Sequence, residues 1–388
     1  MRNAMTAAPV VNDARLPRGV RVLPSQFFAS TSRRIQTPRN TDAKSKNGGE
    51  FQTRLPATGV IGLLRIMLEG TITVTLGAGT VTTGPRYPYG AIDGYLLQAD
   101  QRADVFRVNG LDLHVLRAIR HPSSMVKTAG VLEEAASDTI PGGFGEGNLL
   151  VNGANDIVLS WEIPVAIDDP SLIGSLFAQS DDVYLTQAIQ QDALSNLLVA
   201  AGGATIDSFT GTWWTQVVNF EVPKITDGEG TVLAAPDISV YHAVHAKELQ
   251  FSAAGEQTIE IPRGQGQLDR LLIQVSKTDD DGISTNPYLR TSPDLDELDE
   301  IRIEYGAGVR QLVWSPAHFL AAENVDAYGA LLPYRYLAID LIESNPSRDI
   351  IHMPGVTDLQ AVIKVNSAVA PAAGARVRLV SEMLLNAG

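Results

Sequence analysis

The chain of 388 residues contains no cysteine. That absence excludes disulfide bonds, thiolate nucleophiles and the commonest structural zinc sites. No run of about 18 uninterrupted apolar residues occurs, and the basic N-terminal region is not followed by the apolar core of a signal peptide. The sequence therefore predicts a globular protein that is neither inserted in a membrane nor exported by a standard signal. Its stability must come from packing and assembly.

Charge is scarce and unevenly placed. Charged residues make up 19% of the chain, and the formal net charge is −14. Residues 1–50 hold nine Lys or Arg against three Asp or Glu, whereas the remaining residues hold 21 against 41. A basic segment thus precedes an acidic body. Because the body repels phosphates, we expect no sequence-specific binding of nucleic acid by the folded part.

Length and turn residues divide the chain into four parts. At 388 residues, 44% of them hydrophobic, the chain exceeds the size at which one core usually keeps growing, so we expect two folded domains. The prolines and basic residues of 1–50 predict an extended arm. The domains are expected at 51–224 and 237–388, with a linker at 225–236 that is rich in Gly, Asp and Pro.

Alternation of apolar and polar residues predicts β-strands in both domains. From Leu64 to Leu76 the even positions are mostly apolar, and successive strand residues face opposite sides. Leu64 should therefore point into a core, whereas Arg65 and Glu69 should point away from it. The residues expected to share the face of Leu64 are Ile66, Leu68, Ile72 and Val74. Shorter strands are predicted at 105–108, 113–116, 157–165, 213–222, 259–261, 271–275, 301–303, 337–341, 359–365 and 377–379.

Three short helices are predicted between the strands. The first starts at Asp169 and Pro170 and continues to Phe177, because a carboxylate can cap a helix and proline fits its first position. The second covers Asp192–Ala200. The third begins at Ser315 and Pro316 and should carry Phe319 and Leu320 inward. Because Gly, Pro, Asn and Asp clusters separate the strands, the fold class is mainly β and antiparallel.

No set of residues predicts catalysis, a cofactor or a metal. The glycines between Gly142 and Gly147 lack the lysine and the helix that a phosphate loop requires. His242 and His245 lie three apart in an extended segment, so they should face opposite sides. The acidic runs 279–281 and 294–300 lack the ligand spacing of a calcium loop. We therefore expect a protein that is not an enzyme.

Two stretches carry a resemblance to a known family. They are Phe51–Val74, which begins FQTRLPATGVIGLLRI, and Ile157–Phe177, which contains SWEIPVAIDDPSLIGSLF. In the second stretch, a predicted strand with the aromatic residue Trp161 is followed by the apolar-Pro-apolar sequence Ile163-Pro164-Val165. An acidic helix start at Asp168-Asp169 and the sequence Leu172-Ile173-Gly174 come next. In these stretches, and more loosely in 334–385, the chain resembles the major capsid proteins of tectiviruses, which are tailless bacteriophages with an internal membrane.

This resemblance implies a double jelly roll, in which two antiparallel eight-stranded jelly rolls with short inserted helices stand side by side. It further implies that three chains form a pseudo-hexagonal homotrimer, that trimers tile an icosahedral shell, and that penton and minor capsid proteins are partners. The protein would be made in the host cytoplasm and reside in the virion. The family offers no active site or cofactor to transfer.

The basic arm should lie on the inner side of the shell, near anionic lipid headgroups of the internal membrane or near neighbouring subunits. Its prolines disfavour a long amphipathic helix, so contact should be peripheral, through cations and two apolar anchors. The residues are Arg15, Arg18, Arg21, Phe27, Phe28, Arg33, Arg34 and Arg39.

Two other functions stay open at this point. One is a two-domain jelly-roll protein that binds carbohydrate, with Tyr87, Tyr89, Trp213 and Trp214 as a sugar-stacking platform. However, one of two adjacent strand residues normally points inward, which favours a core role for Trp213 or Trp214. The other is a phage spike or penton protein, which would usually carry one barrel rather than two.

Overall fold

A computed structural model describes residues 20–24, 34–43, 45–56, 58–84, 86–99, 103–120, 149–167, 172–178, 184–222, 224–227, 230–235, 239–276, 298–306, 310–329, 332–333, 336–341, 351–367 and 375–386. Strands dominate these residues. They are β1 Val20–Pro24, β2 Arg34–Ala43, β3 Gly49–Arg54, β4 Val60–Thr75, β5 Thr80–Thr83, β6 Ile92–Ala99, β7 Ala103–Val108, β8 Gly153–Ile163, β9 Leu176–Phe177, β10 Leu185–Gln191, β11 Leu198–Ala201, β12 Thr205–Phe220, β13 Lys224–Asp227, β14 Gly230–Ala235, β15 Val240–Gln250, β16 Gly255–Glu260, β17 Gly266–Ser276, β18 Leu298–Tyr305, β19 Arg310–Trp314, β20 Leu337–Asp340, β21 Ile351–His352, β22 Gln360–Val365 and β23 Arg376–Asn386.

Three α-helices interrupt the strands in these residues: α1 Gly110–Arg120, α2 Leu194–Leu197 and α3 His318–Tyr328, with a 3₁₀ turn at Tyr89–Ala91. Helix α3 ends at Gly329, whose left-handed φ of 75° lets its N–H bond the carbonyl of Val325. Within the described ranges, none of the helices has the length and apolar character needed to cross a bilayer.

The first barrel consists of two four-stranded layers. One layer has the order β2-β12-β4-β8, with the two-residue β9 beside β4, and the other has the order β7-β6-β10-β3. Long antiparallel pairing of β4 with β12 and β8 forms the middle of the first layer. Side chains from both layers meet in one core, which contains Trp161, Trp213 and Tyr95.

The second barrel repeats this plan. Its outer layer has the order β16-β22-β18-β19, and its inner layer has the order β15-β23-β17-β20, with β21 beside β17. The core between the layers is almost wholly aliphatic. In the part of the chain described, each barrel therefore has eight principal strands, which confirms the mainly β, antiparallel fold with few short helices.

The face assignment along β4 is confirmed. Leu64, Ile66, Leu68, Ile72 and Val74 are buried, whereas Glu69 is exposed. The side chain of Arg65 is 42% exposed and its Nε lies 3.2 Å from Oε1 of Glu162 on the neighbouring strand. Alternation every second residue therefore set the register of this strand.

Several predicted elements differ from the structure. Residues 113–116, predicted as a strand, belong to α1, and the predicted helix at 169–177 is wrong for 172–177, which form a turn and β9. Strand β9 pairs with the start of β4, so tertiary pairing overrides the local helix signal. The helix predicted at 192–200 is limited to α2, because Leu198–Ala201 pairs with β5. On α3, Leu320 is buried as predicted, but Phe319 is 60% exposed.

Parts of the predicted arm and linker form strands. β2 pairs along β12 and completes one layer of the first barrel. β1 pairs in parallel with β14, and β13 and β14 form a hairpin within the predicted linker. Arg34 and Arg39 thus lie on β2 and Arg21 on β1. Arg15, Arg18, Phe27, Phe28 and Arg33 lie outside the described residues.

The layer β7-β6-β10-β3 of the first barrel and the inner layer of the second barrel form one continuous sheet. β7 of the first barrel pairs in parallel with β15 of the second through Phe106↔Val244 and Arg107↔His245. We call these two residue pairs the seam. The barrels are thus joined by backbone pairing as well as by side chains.

Candidate functional site at the junction of the barrels

Helix α1 lies between the barrels and is buried almost all round. Of its eleven residues, all but Arg117 and Arg120 are buried, which is typical of a helix covered on every side. A reciprocal capping box fixes its start, because Asn109 Oδ1 accepts from the N–H of Asp112 and Asp112 Oδ2 accepts from the N–H of Asn109, each at 2.9 Å. The helix therefore presents Asp112 and Arg120 at defined positions.

The first turn of α1 is tied to the second barrel through Asp112. Arg378 of β23 donates to both carboxylate oxygens, from Nε at 3.0 Å and from Nη2 at 2.5 Å. The hydroxyl of Tyr336 donates to Oδ1 at 2.6 Å. Burial, followed by the charge of Asp112, raises the pKa of Tyr336 well above its usual value, so the phenol keeps its proton. A fully buried carboxylate is thus bound by a bidentate arginine and a tyrosine.

The last turn of α1 is tied to the same strand with the charges reversed. Arg120 Nη2 donates to Glu382 Oε1 at 2.7 Å, and its Nη1 bonds the carbonyls of Ala166 and Ile167 at 2.8 Å. Arg270 Nη1 donates to Glu382 Oε2 at 2.5 Å. Although burial would raise the pKa of Glu382, Arg270 and Arg120 hold it well below its usual range. Glu382 is therefore a buried anion.

The two contacts match in spacing. Asp112 and Arg120 are eight helical residues apart, or about 12 Å at 1.5 Å per residue. Arg378 and Glu382 are four strand residues apart, or about 14 Å at 3.4 Å per residue. An acid near the helix N-terminus and a base near its C-terminus also suit the helix dipole. We call this pair of contacts the clasp; its charge order permits only one orientation of α1 on β23.

Strand β23 is buried on both faces because of this arrangement. Val377, Leu379 and Met383 belong to the core of the second barrel. Val380, between Arg378 and Glu382 on the opposite face, belongs to the core of the first barrel. The back of the inner sheet of the second barrel is therefore covered by α1 and the first barrel.

Beside the seam is an open groove of about 390 Å³. Its lining includes Arg107, Lys247 and Asp104. His245 Nε2 lies 2.7 Å from the carbonyl oxygen of Asp104 and thus bridges the barrels. His242 is buried on the other face of β15, so the prediction that the two histidines face opposite sides is confirmed.

The junction offers no open chemistry in the residues described. Asp112 and Glu382 are bound by arginines, and no group of three or more His, Asp or Glu suited to a metal occurs in this part of the chain. Of the acidic run 294–300, the described Asp299 accepts from Asn366 and Glu300 from Arg302. The arrangement instead holds two barrels in a fixed orientation.

Sequence reasoning missed the clasp. The capping pattern Asn109-x-x-Asp112 was a usable signal for the start of α1. Ser381 and Glu382 inside an apolar strand were a second signal, since a charged residue there requires a partner. Arg120 and Asp112 are separated from their partners, Glu382 and Arg378, by more than 250 residues. Such pairing leaves no local pattern in the sequence.

The proposed sugar platform is not present. Tyr87 and Tyr89 are buried, and Tyr89 stacks on His114 with ring centroids 3.7 Å apart. Trp213 is also buried, and its Nε1 donates to Gln191 Oε1 at 3.2 Å. Trp214 is half-buried on the other face of β12, so the prediction that one of the two tryptophans points inward is confirmed.

Two exposed apolar groups lie on different barrels. Val199 and Leu149 flank Thr82 across neighbouring strands, and Val151 follows on the same side as Leu149. We call Leu149, Val151 and Val199, which are 67%, 55% and 48% exposed, the first patch. Phe319, Ala322 and Val325 form an exposed row on α3, which we call the second patch. Exposed apolar groups of this kind are common at protein interfaces.

Comparisons with known proteins identify the fold. No protein-family model and no curated protein matches the sequence. The structure is similar to that of the major capsid protein of STIV, with a TM-score of 0.60 and 15% identity over 92% of this chain and 97% of that one. It is also similar to a chain in the atomic structure of Sulfolobus turreted icosahedral virus (TM-score 0.58, 13% identity, 91% of each chain). A chain of the PBCV-1 virus capsid gives a TM-score of 0.55 at 8% identity over 91% of this chain and 94% of that one. At these identities the likeness concerns the fold, and by fold this chain is a double jelly roll like the viral capsid proteins it resembles.

Proposed function

We propose that the protein is a major capsid protein that builds the shell of an icosahedral bacteriophage and catalyses no reaction. The observation that carries this proposal is the match over nearly the full length of both chains to double jelly rolls of virus shells. The clasp supports it, because a shell subunit with two barrels must keep them in one orientation. A penton or spike with a single barrel fits less well, since two barrels of eight principal strands are present.

We propose further that three copies form the capsomer. A cyclic trimer requires two different surfaces on each subunit, because each copy contacts the next one heterologously. The first patch and the second patch are two such surfaces, one on each barrel. Burying them against each other would place apolar and aromatic contacts at the centre of the interface.

Light scattering on the purified chain tests the trimer. The wild type should show three times the 41.6 kDa mass of the chain. Leu149→Glu and Phe319→Glu should each shift the population to monomers, because each buries a charge without a partner. Thr258→Glu, on an exposed position of β16 outside both patches, is the matched control. A monomeric wild type at micromolar concentration, or trimers that persist in both variants, would contradict the proposed interface.

For the basic arm we propose a position on the inner side of the shell, where Arg15, Arg18, Arg21, Phe27, Phe28, Arg33, Arg34 and Arg39 approach anionic headgroups of an internal membrane. Each cation near such a surface contributes on the order of 1 kcal/mol, reduced by salt. Neighbouring acidic subunits, penton proteins and minor capsid proteins compete for the same charges. In this proposal the protein is made in the host cytoplasm and ends in the virion.

Flotation with anionic liposomes tests the arm. Since β2 belongs to the first barrel, the truncation should remove residues 1–33 and leave Arg34–Ala43 in place. The intact chain should float at low salt and the truncated chain should stay at the bottom. A variant with Arg15, Arg18 and Arg33 changed to Gln should bind at an intermediate level. Equal flotation of intact and truncated chains would remove the membrane role.

A further inference from the structure

The Glu382 end of the clasp contains more ionisable groups than the Asp112 end. Around Glu382 of β23, α1 contributes Arg120, β17 contributes Asp269 and Arg270, β20 contributes Asp340, and β15 contributes His242. Tyr328 of α3 donates to Asp340 at 3.0 Å. We call this group of six charged or ionisable residues the Glu382 cluster: Arg120, His242, Asp269, Arg270, Asp340 and Glu382.

His242 is placed between two acceptors from different barrels. Its Nδ1 lies 2.8 Å from the carbonyl oxygen of Pro164, just after β8 of the first barrel. Its Nε2 lies 2.9 Å from Oε1 of Glu382, an ion-pair contact. Neither oxygen can donate a proton while Glu382 is ionised, so a ring with one bare nitrogen would direct a lone pair at an acceptor. An oxygen acceptor from each barrel therefore faces one of the two ring nitrogens.

The ring has no room to turn away. It is fully buried, and the ring of Phe106 packs edge-on against it with centroids 5.4 Å apart. Its backbone N–H bonds the carbonyl of Gly174 at 2.8 Å. The ring therefore stays between Pro164 and Glu382 in either protonation state.

Asp269 is a buried group of the cluster that favours a bound proton. It is 1% exposed; Gln267 donates to its Oδ1 at 3.0 Å, whereas Oδ2 has no hydrogen-bond partner in the part of the chain that is described. Burial, then the charge of Glu382, raises the pKa of Asp269 to about 7. Since this pKa is raised on folding, its stabilising effect is present at low pH and is lost as the pH rises through about 7.

The net charge of the Glu382 cluster depends on a single proton. Arg120 and Arg270 balance Glu382 and Asp340, which leaves His242 and Asp269. With one proton on either of these two, the described cluster is neutral, as an imidazolium with a carboxylate or as a neutral imidazole with a carboxylic acid. With that proton lost, a net charge of −1 stays buried between the barrels, which is costly.

We infer that the junction between the barrels is a proton-dependent clasp: it closes while the buried carboxyl of Asp269 holds a proton, and it loosens when alkaline pH removes that proton. The Asp112 end has no comparable dependence, because Arg378 and Arg376 balance Asp112 and the exposed Glu248, and Tyr336 keeps its hydroxyl proton. Alkali should therefore release the last turn of α1 before the first. This goes beyond the capsid role and holds whether or not the chain forms shells.

Hydrogen exchange of the intact protein tests the inference. Above the pH at which the proton leaves, the protection factors of amides near Arg120 should fall up to tenfold per pH unit, as expected for one linked proton. Those of amides in the middle of β12 should change little. In Asp269→Asn the unprotonated cluster is neutral, so the pH dependence should be abolished. Asp326→Asn, an exposed position on α3, is the matched control.

A spectroscopic measurement on the wild type keeps the inference testable if the variant folds poorly. In protein labelled with ¹³C-aspartate, the carboxyl resonance of Asp269 should change its chemical shift as this carboxyl loses its proton. The change should occur over the same pH range in which the protection factors fall. Protection factors near Arg120 that do not vary with pH, or an unchanged pH dependence in a folded Asp269→Asn, would overturn the inference.

Discussion

The two barrels share a strand plan but differ in what fills them. The core of the first barrel contains two tryptophans, several tyrosines, Phe106 and Phe209. The fully buried part of the second core is aliphatic, with Phe251 as its one aromatic among the described residues. The same architecture is therefore built around large rings with polar ends in one half and around branched aliphatic side chains in the other.

The difference teaches how each core specifies its packing. In the first barrel, polar partners fix some of the rings: Trp213 donates to Gln191, and Tyr95 donates at 3.4 Å to Gln187, which in turn donates to Thr215 at 2.6 Å. Satisfied buried polar groups favour one arrangement, because every alternative leaves a donor or acceptor unpaired. In the core of the second barrel, packing of aliphatic side chains dominates, and aliphatic cores tolerate rearrangement better.

The largest expected effect is the loss of a ring from the first core. Trp213→Ala should lower the free energy of unfolding by about 3–5 kcal/mol, because it leaves a cavity and removes the partner of Gln191. Denaturant unfolding measures the change. Trp214→Ala, on the half-buried face of the same strand, should cost clearly less. Equal losses for the two variants would contradict the assigned core.

Next comes the loss of a polar partner without loss of volume. Thr215→Val keeps the shape but removes the hydroxyl that accepts from Gln187, so it should cost about 1–3 kcal/mol. Thr212→Val, on the partly exposed face of β12, is its control and should be nearly neutral. A neutral Thr215→Val would show that polar partners do not specify the first core.

A smaller effect is expected from a change of shape in the second core. Ile363→Leu conserves volume in an aliphatic environment and should cost less than about 1.5 kcal/mol. Thermal unfolding of the purified variant checks this. A larger loss would mean that the second core is as tightly specified as the first, and the comparison between the barrels would fail.

The smallest effect is expected at the surface of the second barrel. Arg302 lies 2.8 Å from Glu300 and 2.6 Å from Glu304, and Arg302→Gln should cost less than about 1 kcal/mol. Hydrogen bonding to Arg302 lowers the pKa of Glu304, so this contribution is present near neutral pH and is lost in acid as the carboxylate protonates. Unfolding at pH 7 and pH 3, with and without added salt, should show the difference shrinking in acid and in salt.

The sequence predicted the strands best where one face meets water. The alternation along β4 located its core face, because Arg65 and Glu69 marked the other side. It failed where an element is covered all round. All four residues of Leu113–Leu116 are buried, so the pattern of apolar residues did not distinguish a helix from a strand. Only the capping box at Asn109 signalled α1.

The clasp could not be predicted from the sequence for a different reason. Arg376 and Arg378 flank apolar positions on β23, a pattern typical of a strand with a solvated face. That face is instead covered by α1, and Arg378 is paired with Asp112. Burial of this kind depends on which element packs against the sheet, and pairing across more than 250 residues is set by the tertiary fold.

The seam has a mechanical consequence. Among the described residues, only two pairs, Phe106↔Val244 and Arg107↔His245, connect the two halves of the continuous sheet. A load that pulls the barrels apart would open such a short parallel contact one bond after another if it stood alone. Helix α1, anchored at both ends, spans the same joint and distributes the load over two points about 12 Å apart. The subunit should therefore resist bending about the seam as a single stiff plate and not as two plates on a hinge.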